Sequence, residues 1–129
     1  MYIGSATWAA MRYSWVVYTA GLSARQISDV AAWYASHTAV ATLPDGVSAE
    51  DAPAACVSCH GADGISALKD APNLAGEVNI YIDTQLKAFR SGKRMHEIMS
   101  GLASDLDDAE IRAVADWYSN VDLKILPPE

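Results

Sequence analysis

The chain has 129 residues, a length that fits one small domain with an appendage, and its 51% hydrophobic content is sufficient for a packed core. Nine basic and sixteen acidic side chains give a net charge of -7, which argues against nucleic-acid binding because that requires a basic surface. No stretch approaches the ~20 consecutive apolar residues of a membrane-spanning helix.

Residues 1–24 are apolar and rich in aromatic side chains. They lack the cationic start and the small-residue cleavage site of a signal peptide, so we expect them to belong to the folded protein. The run YSWVVY at 13–18 is the only β-rich one and favours a short strand or an exposed apolar patch.

Residues 23–36 have the pattern of an amphipathic helix. Ser23 and Gln26 have the spacing of a capping box, in which each side chain accepts a backbone N–H of the other. Four apolar residues then share one face: Ile27, Val30, Ala31 and Tyr34. The next segment, 37–54, contains Pro44, Gly46 and Pro53 and predicts a linker that ends in, at most, a short helix.

Two further helices are predicted, at 78–91 and 107–120. The first places four residues on one stripe, and Gly92 supplies its stop: Val78, Ile82, Leu86 and Phe89. The second begins with a capping box formed by Asp107 and Glu110. Its predicted buried face consists of Ile111, Val114, Ala115 and Tyr118. The chain is therefore predicted to be all-α.

The helices at 23–36 and 107–120 resemble each other. Aligning LSARQISDVAAWYAS (22–36) with LDDAEIRAVADWYSN (106–120) gives identity at Leu, Ile, Val, Ala, Trp and Tyr. A shared amphipathic pattern explains the aliphatic matches but explains the Trp-Tyr pair poorly. This similarity favours a degenerate internal repeat.

The sequence CVSCH at 56–60 contains the only two cysteines of the chain. A structural zinc site needs four protein ligands, and His60 is too close to Cys59 to share a tetrahedral site easily with both thiols. A redox dithiol would require a βαβ setting that the predicted helices do not provide. The remaining interpretation is covalent haem attachment, whose signature is C-x-x-C-H.

Around this motif the chain resembles the small bacterial class I c-type cytochromes, in particular one half of the tandem dihaem cytochromes. The resemblance covers residues 54–120. It depends on four stretches in order: CVSCHGADG, PNLAGE (72–77), YIDTQLKAFRSGKR (81–94) and IMSGLASDLDDAEIRAVADWY. It implies the class I cytochrome c fold, with the first part of the chain as a helical N-terminal extension.

The resemblance also implies the haem ligands. Cys56 and Cys59 would form thioether bonds to one haem c, His60 would be the proximal iron ligand and Met99 the distal one. Met95 and His96 compete with Met99 for the distal position. A sixth position left empty is the further alternative.

Other site residues follow from the same resemblance. Pro72 matches the residue whose carbonyl accepts the proximal imidazole N–H. Gly61 and Gly64 would let the backbone fold tightly at the haem edge. Three residues would line the haem pocket, with a plain core role as the alternative: Tyr81, Leu86 and Phe89. Trp117 and Tyr118 are interpreted as packing residues.

The resemblance divides the chain into three parts. Residues 1–47 are an N-terminal extension, with the haem-less remnant of a first cytochrome half as one interpretation. Residues 48–124 are a monohaem cytochrome c domain, and 125–129 are a C-terminal tail. The aromatic residues of the extension would suit contact with a partner subunit or a second copy of the chain: Trp8, Tyr13, Trp15 and Tyr18.

The implied function is one-electron transfer, without catalysis by this chain. The protein would be a periplasmic carrier, or the cytochrome subunit of an oxidoreductase resembling flavocytochrome c sulfide dehydrogenase. A haem enzyme or sensor with an open sixth position is the alternative. Four cations would either form a basic docking patch or pair with haem propionates, or simply stabilise a helix end: Lys87, Arg90, Lys93 and Arg94.

Overall fold

The computed structural model describes residues 18–128 of the chain. The described residues divide into two compact units, one that contains residues 18–38 and 127–128 and one of Ala39–Leu126. The predicted strand or patch at 13–18 lies outside the described residues except for Tyr18, which is exposed. Within the described range, no helix is long and apolar enough to cross a membrane.

The first unit contains helix α1 (Ala24–Ala35). The predicted helix and its capping box are confirmed, because the Ser23 side chain accepts the Gln26 N–H while the Gln26 side chain accepts the Ser23 N–H. The predicted apolar face of this helix is not buried, since no residue of α1 is buried and Ile27 is 53% exposed. Periodicity determines which face of a helix is apolar, but burial also requires a surface that covers that face.

The second unit contains most of the regular structure. Its elements in chain order are β1 (Thr38–Thr42), a 3-10 helix (Ala49–Asp51), α2 (Ala54–His60), α3 (Asn79–Arg90), α4 (Met99–Ser104), α5 (Asp108–Ser119) and β2 (Asp122–Leu126). The predicted helices at 78–91 and 107–120 are confirmed as α3 and α5. The all-α prediction is confirmed for the main body of the fold, to which β1 and β2 add a small two-stranded sheet.

Helix α2 is short because it begins immediately after Pro53. Proline lacks a backbone N–H and fixes its own φ, so it is tolerated at the start of a helix and not inside one. The residues before it form only a single 3-10 turn. The prediction of a short helix before Cys56 is therefore confirmed.

The core lies where α3 packs against α4 and α5. Its buried residues are Ile82, Leu86, Phe89, Ala103, Ile111, Val114, Ala115 and Tyr118. The predicted face of α5 is confirmed in full. Three of the four residues on the predicted stripe of α3 are buried, and the fourth, Val78, is the N-cap residue and is 61% exposed.

Candidate functional site

Helix α2 presents the CVSCH residues at the edge of the core. Cys56 and Cys59 are one helical turn apart, a spacing that places their side chains on the same face. Cys56 is partly buried and packs against the core, and His60, the last residue of the helix, is buried. Two thiols and one imidazole are thus fixed on seven residues of rigid backbone.

The His60 ring is oriented by the backbone of Pro72. Its Nδ1 atom lies 2.8 Å from the Pro72 carbonyl oxygen. A carbonyl can only accept, so Nδ1 carries the proton and donates it. In a neutral imidazole this leaves the lone pair on Nε2, the nitrogen available to a metal. A carbonyl partner on the second ring nitrogen is the usual arrangement of a metal-ligating histidine.

The Cys56 thiol does not have the character of a reactive cysteine. Burial raises the pKa of the Cys56 thiol above its usual value, and the neighbouring Cys59 adds to the shift. Reactive cysteines show the opposite, a lowered pKa that produces the thiolate. Both cysteines are free rather than disulfide-bonded. Among residues 18–128, no group of three or more His, Cys, Asp or Glu side chains could hold a metal ion.

The loop after His60 folds back tightly. The Gly64 carbonyl accepts the backbone N–H groups of Leu74 and Ala75, at 2.7 and 3.1 Å. Gly64 has a φ of 79°, and a Cβ atom at this position would collide with the Ala75 backbone, so glycine is required. The Ser66 hydroxyl donates to the Cys59 carbonyl at 2.6 Å, which ties the loop to the end of α2.

Trp117 and Tyr118 hold the same loop from helix α5. The Trp117 indole N–H donates to the Ala62 carbonyl at 2.8 Å, and the Tyr118 hydroxyl donates to the Gly61 carbonyl at 3.0 Å. The interpretation of the two aromatics as packing residues is therefore incomplete, because they also fix the two residues that follow His60. No local sequence signal indicates this role, since the same Trp-Tyr pair in α1 is exposed.

Met99 is the first residue of α4, and its half-buried side chain packs against the core. Its competitor Met95 is 86% exposed. The other competitor, His96, uses Nδ1 to accept the backbone N–H groups of Ile98 and Met99. A neutral His96 therefore carries its proton on Nε2 and, unlike His60, has no spare lone pair for a metal.

The three residues expected to line a haem pocket occupy different environments. Leu86 and Phe89 are buried in the core cluster, and Cys56 and Met99 are partly buried and pack against that cluster. Tyr81 lies on the same helix but is 46% exposed. The core therefore brings two of the three together with a thiol and a thioether.

The cations at the end of α3 are mostly engaged within the unit. Their partners are Asp83 for Lys87 (2.8 Å), Asp108 for Arg90 (2.6 Å) and the amide oxygen of Gln85 for Arg94 (2.6 Å). These contacts favour stabilisation of the helix end over recruitment of a partner.

Residues 50–122 match the sequence profile of the cytochrome c family. The chain belongs to this family. Cytochrome c-554(548) of Halomonas halodenitrificans is 35% identical over 79 residues, which are 59% of this chain and 95% of that protein. The cytochrome subunit of sulfide dehydrogenase of Chlorobaculum tepidum is 33% identical over 69 residues, 54% of this chain and 62% of that one.

The fold has a solved counterpart. The crystal structure of reduced recombinant cytochrome c4 from Pseudomonas stutzeri has a TM-score of 0.50 and 31% sequence identity, and the match covers 57% of this chain and 40% of that one. The class I cytochrome c fold is thus confirmed for the second unit, with the β1–β2 sheet as an addition to the predicted helices.

The cofactor of this family member is one covalently bound haem c. The residues present fit it. The thiols at Cys56 and Cys59 are not disulfide-bonded, the His60 tautomer leaves Nε2 available, and Met99 and Cys56 both pack against the core cluster. Two thiols would form the thioether bonds, and the imidazole and the thioether are two of the side-chain groups that haem iron accepts as ligands.

Proposed function

We propose that residues 48–124 transfer single electrons through a haem c held by thioether bonds to Cys56 and Cys59, with His60 and Met99 as its axial ligands. When bound, haem c supplies reversible one-electron exchange between ferric and ferrous iron, and a methionine ligand raises its potential. The chain's own residues fix the ligands and leave no position open for a substrate.

The hydrogen bond between His60 and Pro72 carries this proposal. This hydrogen bond selects the tautomer that leaves the Nε2 lone pair free to bind iron, and it holds the imidazole ring in one orientation. Trp117 and Tyr118 fix the backbone that follows His60, so the imidazole has little freedom to rotate or retreat. A site whose ligands do not move between oxidation states suits electron transfer better than catalysis.

The proposed partner is a dehydrogenase that passes its electrons to this chain. The relative named as the cytochrome subunit of sulfide dehydrogenase supports this role, since it is 33% identical to this chain over 69 residues. Haem c is attached outside the bacterial cytoplasm in this family, which supports a periplasmic location. The chain itself would perform no catalysis.

The domain division also remains a proposal. A haem-less remnant of a first cytochrome half in residues 1–47 is supported by the order of elements. A 12-residue helix and a five-residue strand occur in α1 and β1, and the same pair recurs in α5 and β2. Contact of this extension with a partner subunit or a second copy is part of the same proposal.

Carbon monoxide binding to the ferrous protein tests the ligand assignment. We expect the wild-type protein to resist carbon monoxide, because Met99 fills the sixth position, and Met99→Ala to bind it rapidly. Met95→Leu is the matched control, since it alters an exposed methionine four residues away, and it should behave as wild type. Rapid binding by the wild-type protein would instead support the alternative function, a haem enzyme or sensor with an open site.

A rapid-mixing experiment tests the partner. The ferric protein is mixed with sulfide alone and with sulfide plus a flavin-containing sulfide dehydrogenase subunit, and haem reduction is followed by absorbance. We expect the flavin subunit to accelerate reduction. Equal rates in the two mixtures would contradict this partner while leaving the ligand assignment intact.

A further inference from the structure

His96 forms a reciprocal pair of hydrogen bonds with the start of α4. Its Nδ1 atom accepts the Ile98 and Met99 backbone N–H groups at 3.2 and 3.3 Å. In return, the His96 backbone N–H donates to the Ser100 hydroxyl at 3.0 Å. The first N–H groups of a helix have no partner within the helix, and here a histidine ring supplies one. The His96 ring thus accepts amide protons at the start of α4, as the side chain of a helix cap does, although His96 precedes the N-cap residue Ile98 by two positions.

The capping ring is itself attached to the core. The rings of His96 and Phe89 meet edge to face, with their centroids 6.4 Å apart. Phe89 is buried, and the Arg94 guanidinium lies over its ring at 4.6 Å from the centroid. Arg94 is in turn held by a hydrogen bond to Gln85 on α3. These contacts link the His96 ring to helix α3. They therefore also link to α3 the Ile98 and Met99 backbone N–H groups that donate to this ring.

Helix α4 needs such support. It has only six residues, well below the length at which a helix is stable without outside contacts. Its N-cap residue, Ile98, offers no side-chain hydrogen bond. Met99 is the first residue of this helix, so any fraying of the first turn would displace the thioether before the rest of α4 moved.

We propose that His96 is a positioning residue for Met99: by accepting the Met99 N–H, it fixes the backbone from which the thioether reaches the haem iron. This inference rests on the proposed ligation by Met99. It assigns His96 a role that excludes iron ligation in the same state, because the ring cannot accept two amide protons at Nδ1 and also offer a lone pair at Nε2.

The holoprotein variants His96→Ala, His96→Asn and Ser100→Ala test the proposal. The readouts are the weak far-red absorption band that methionine coordination gives to ferric haem c, and the apparent affinity for added imidazole, which competes with Met99. Loss of a helix cap should make imidazole binding to His96→Ala roughly fivefold tighter. His96→Asn should restore the wild-type affinity because an asparagine oxygen caps equally well. Ser100→Ala should show a smaller increase.

The controls separate this proposal from the ligand assignment. Met99→Ala should abolish the far-red band, and retention of the band would overturn the ligand assignment together with everything that rests on it. If Met99→Ala loses the band while His96→Ala binds imidazole like wild type, only the positioning role is overturned. Complete loss of the band in His96→Asn, whose side-chain oxygen can still accept the amide protons, would show that capping is not what the His96 ring contributes, and would also overturn the proposal.

Discussion

Helices α1 and α5 carry the same pattern of residues and begin with the same type of cap, but they differ in burial. Ile111 of α5 is fully buried, whereas Ile27, its counterpart in α1, is 53% exposed. Both helices have 12 residues and both have complete capping boxes. The difference arises outside the helices, because α5 packs on α3 and its buried residues belong to the hydrophobic core. Local sequence therefore specifies where each helix begins and ends, and neighbouring elements decide whether it is buried.

The Trp-Tyr pairs of the two helices also differ, in this case in their hydrogen bonds. Trp117 and Tyr118 donate to the two carbonyls that follow His60. Trp33 and Tyr34 instead meet each other edge to face, with ring centroids 5.0 Å apart, and the Trp33 carbonyl contacts the His37 ring. The same dipeptide holds a haem-binding loop in one helix and is exposed in the other.

The largest expected difference between the helices concerns their isoleucines. Ile111→Ala should lower the free energy of unfolding by about 2 to 5 kcal/mol, because it removes a fully buried side chain from the core and leaves a cavity. Ile27→Ala should change it by about 0.5 kcal/mol or less. Denaturant unfolding of both holoproteins measures the two values. Equal losses would show that α1 is packed as tightly as α5.

A smaller difference is expected for the tyrosines. Tyr118→Phe removes the donor to the Gly61 carbonyl and should cost about 1 kcal/mol, whereas Tyr34→Phe should leave stability nearly unchanged. Amide hydrogen exchange in residues 61–64 should accelerate only in the Tyr118 variant. If exchange in this loop stayed at the wild-type rate, Tyr118 would not be holding it.

Tyr118 should also make stability depend on pH in alkaline solution. Burial raises the pKa of the Tyr118 phenol above its usual value, and the nearby Asp63 carboxylate adds to the shift. The folded state thus favours the neutral phenol, so its contribution is complete below about pH 10 and decreases as the pH rises further. Above pH 10, the free energy of unfolding should decrease more steeply with pH for the wild-type protein than for Tyr118→Phe. An equal pH dependence in the two proteins would contradict the raised pKa of Tyr118.

The smallest difference is expected for two exposed ion pairs. The Arg90 guanidinium hydrogen-bonds to Asp108 and lowers the pKa of that carboxyl. The contribution of this ion pair to the free energy of unfolding is present above about pH 4, and it is lost as the pH falls further and the Asp108 carboxyl becomes protonated. Asp108→Asn should therefore reduce stability slightly at neutral pH and not in strong acid. Asp29→Asn, which alters the looser Arg25–Asp29 pair of α1, is the control and should have no measurable effect.

The features that were predictable from sequence are those encoded within a few residues. Ser23 with Gln26, and Asp107 with Glu110, specify two helix starts because each cap bonds only to its own first turn. Strands β1 and β2 were not predicted, because each has only five residues and pairs with a segment that is distant in the sequence. The donor roles of Trp117 and the cap formed by His96 likewise depend on where distant or irregular backbone lies. No local pattern encodes those positions.

Covalent attachment of haem through Cys56 and Cys59 is the claim on which the proposed function of the second unit depends. Alkylation of the denatured protein, followed by intact mass measurement, tests it most directly. We expect the mass of the polypeptide plus one haem, with neither Cys56 nor Cys59 modified by the alkylating agent. A colourless chain with both cysteines alkylated would contradict the claim.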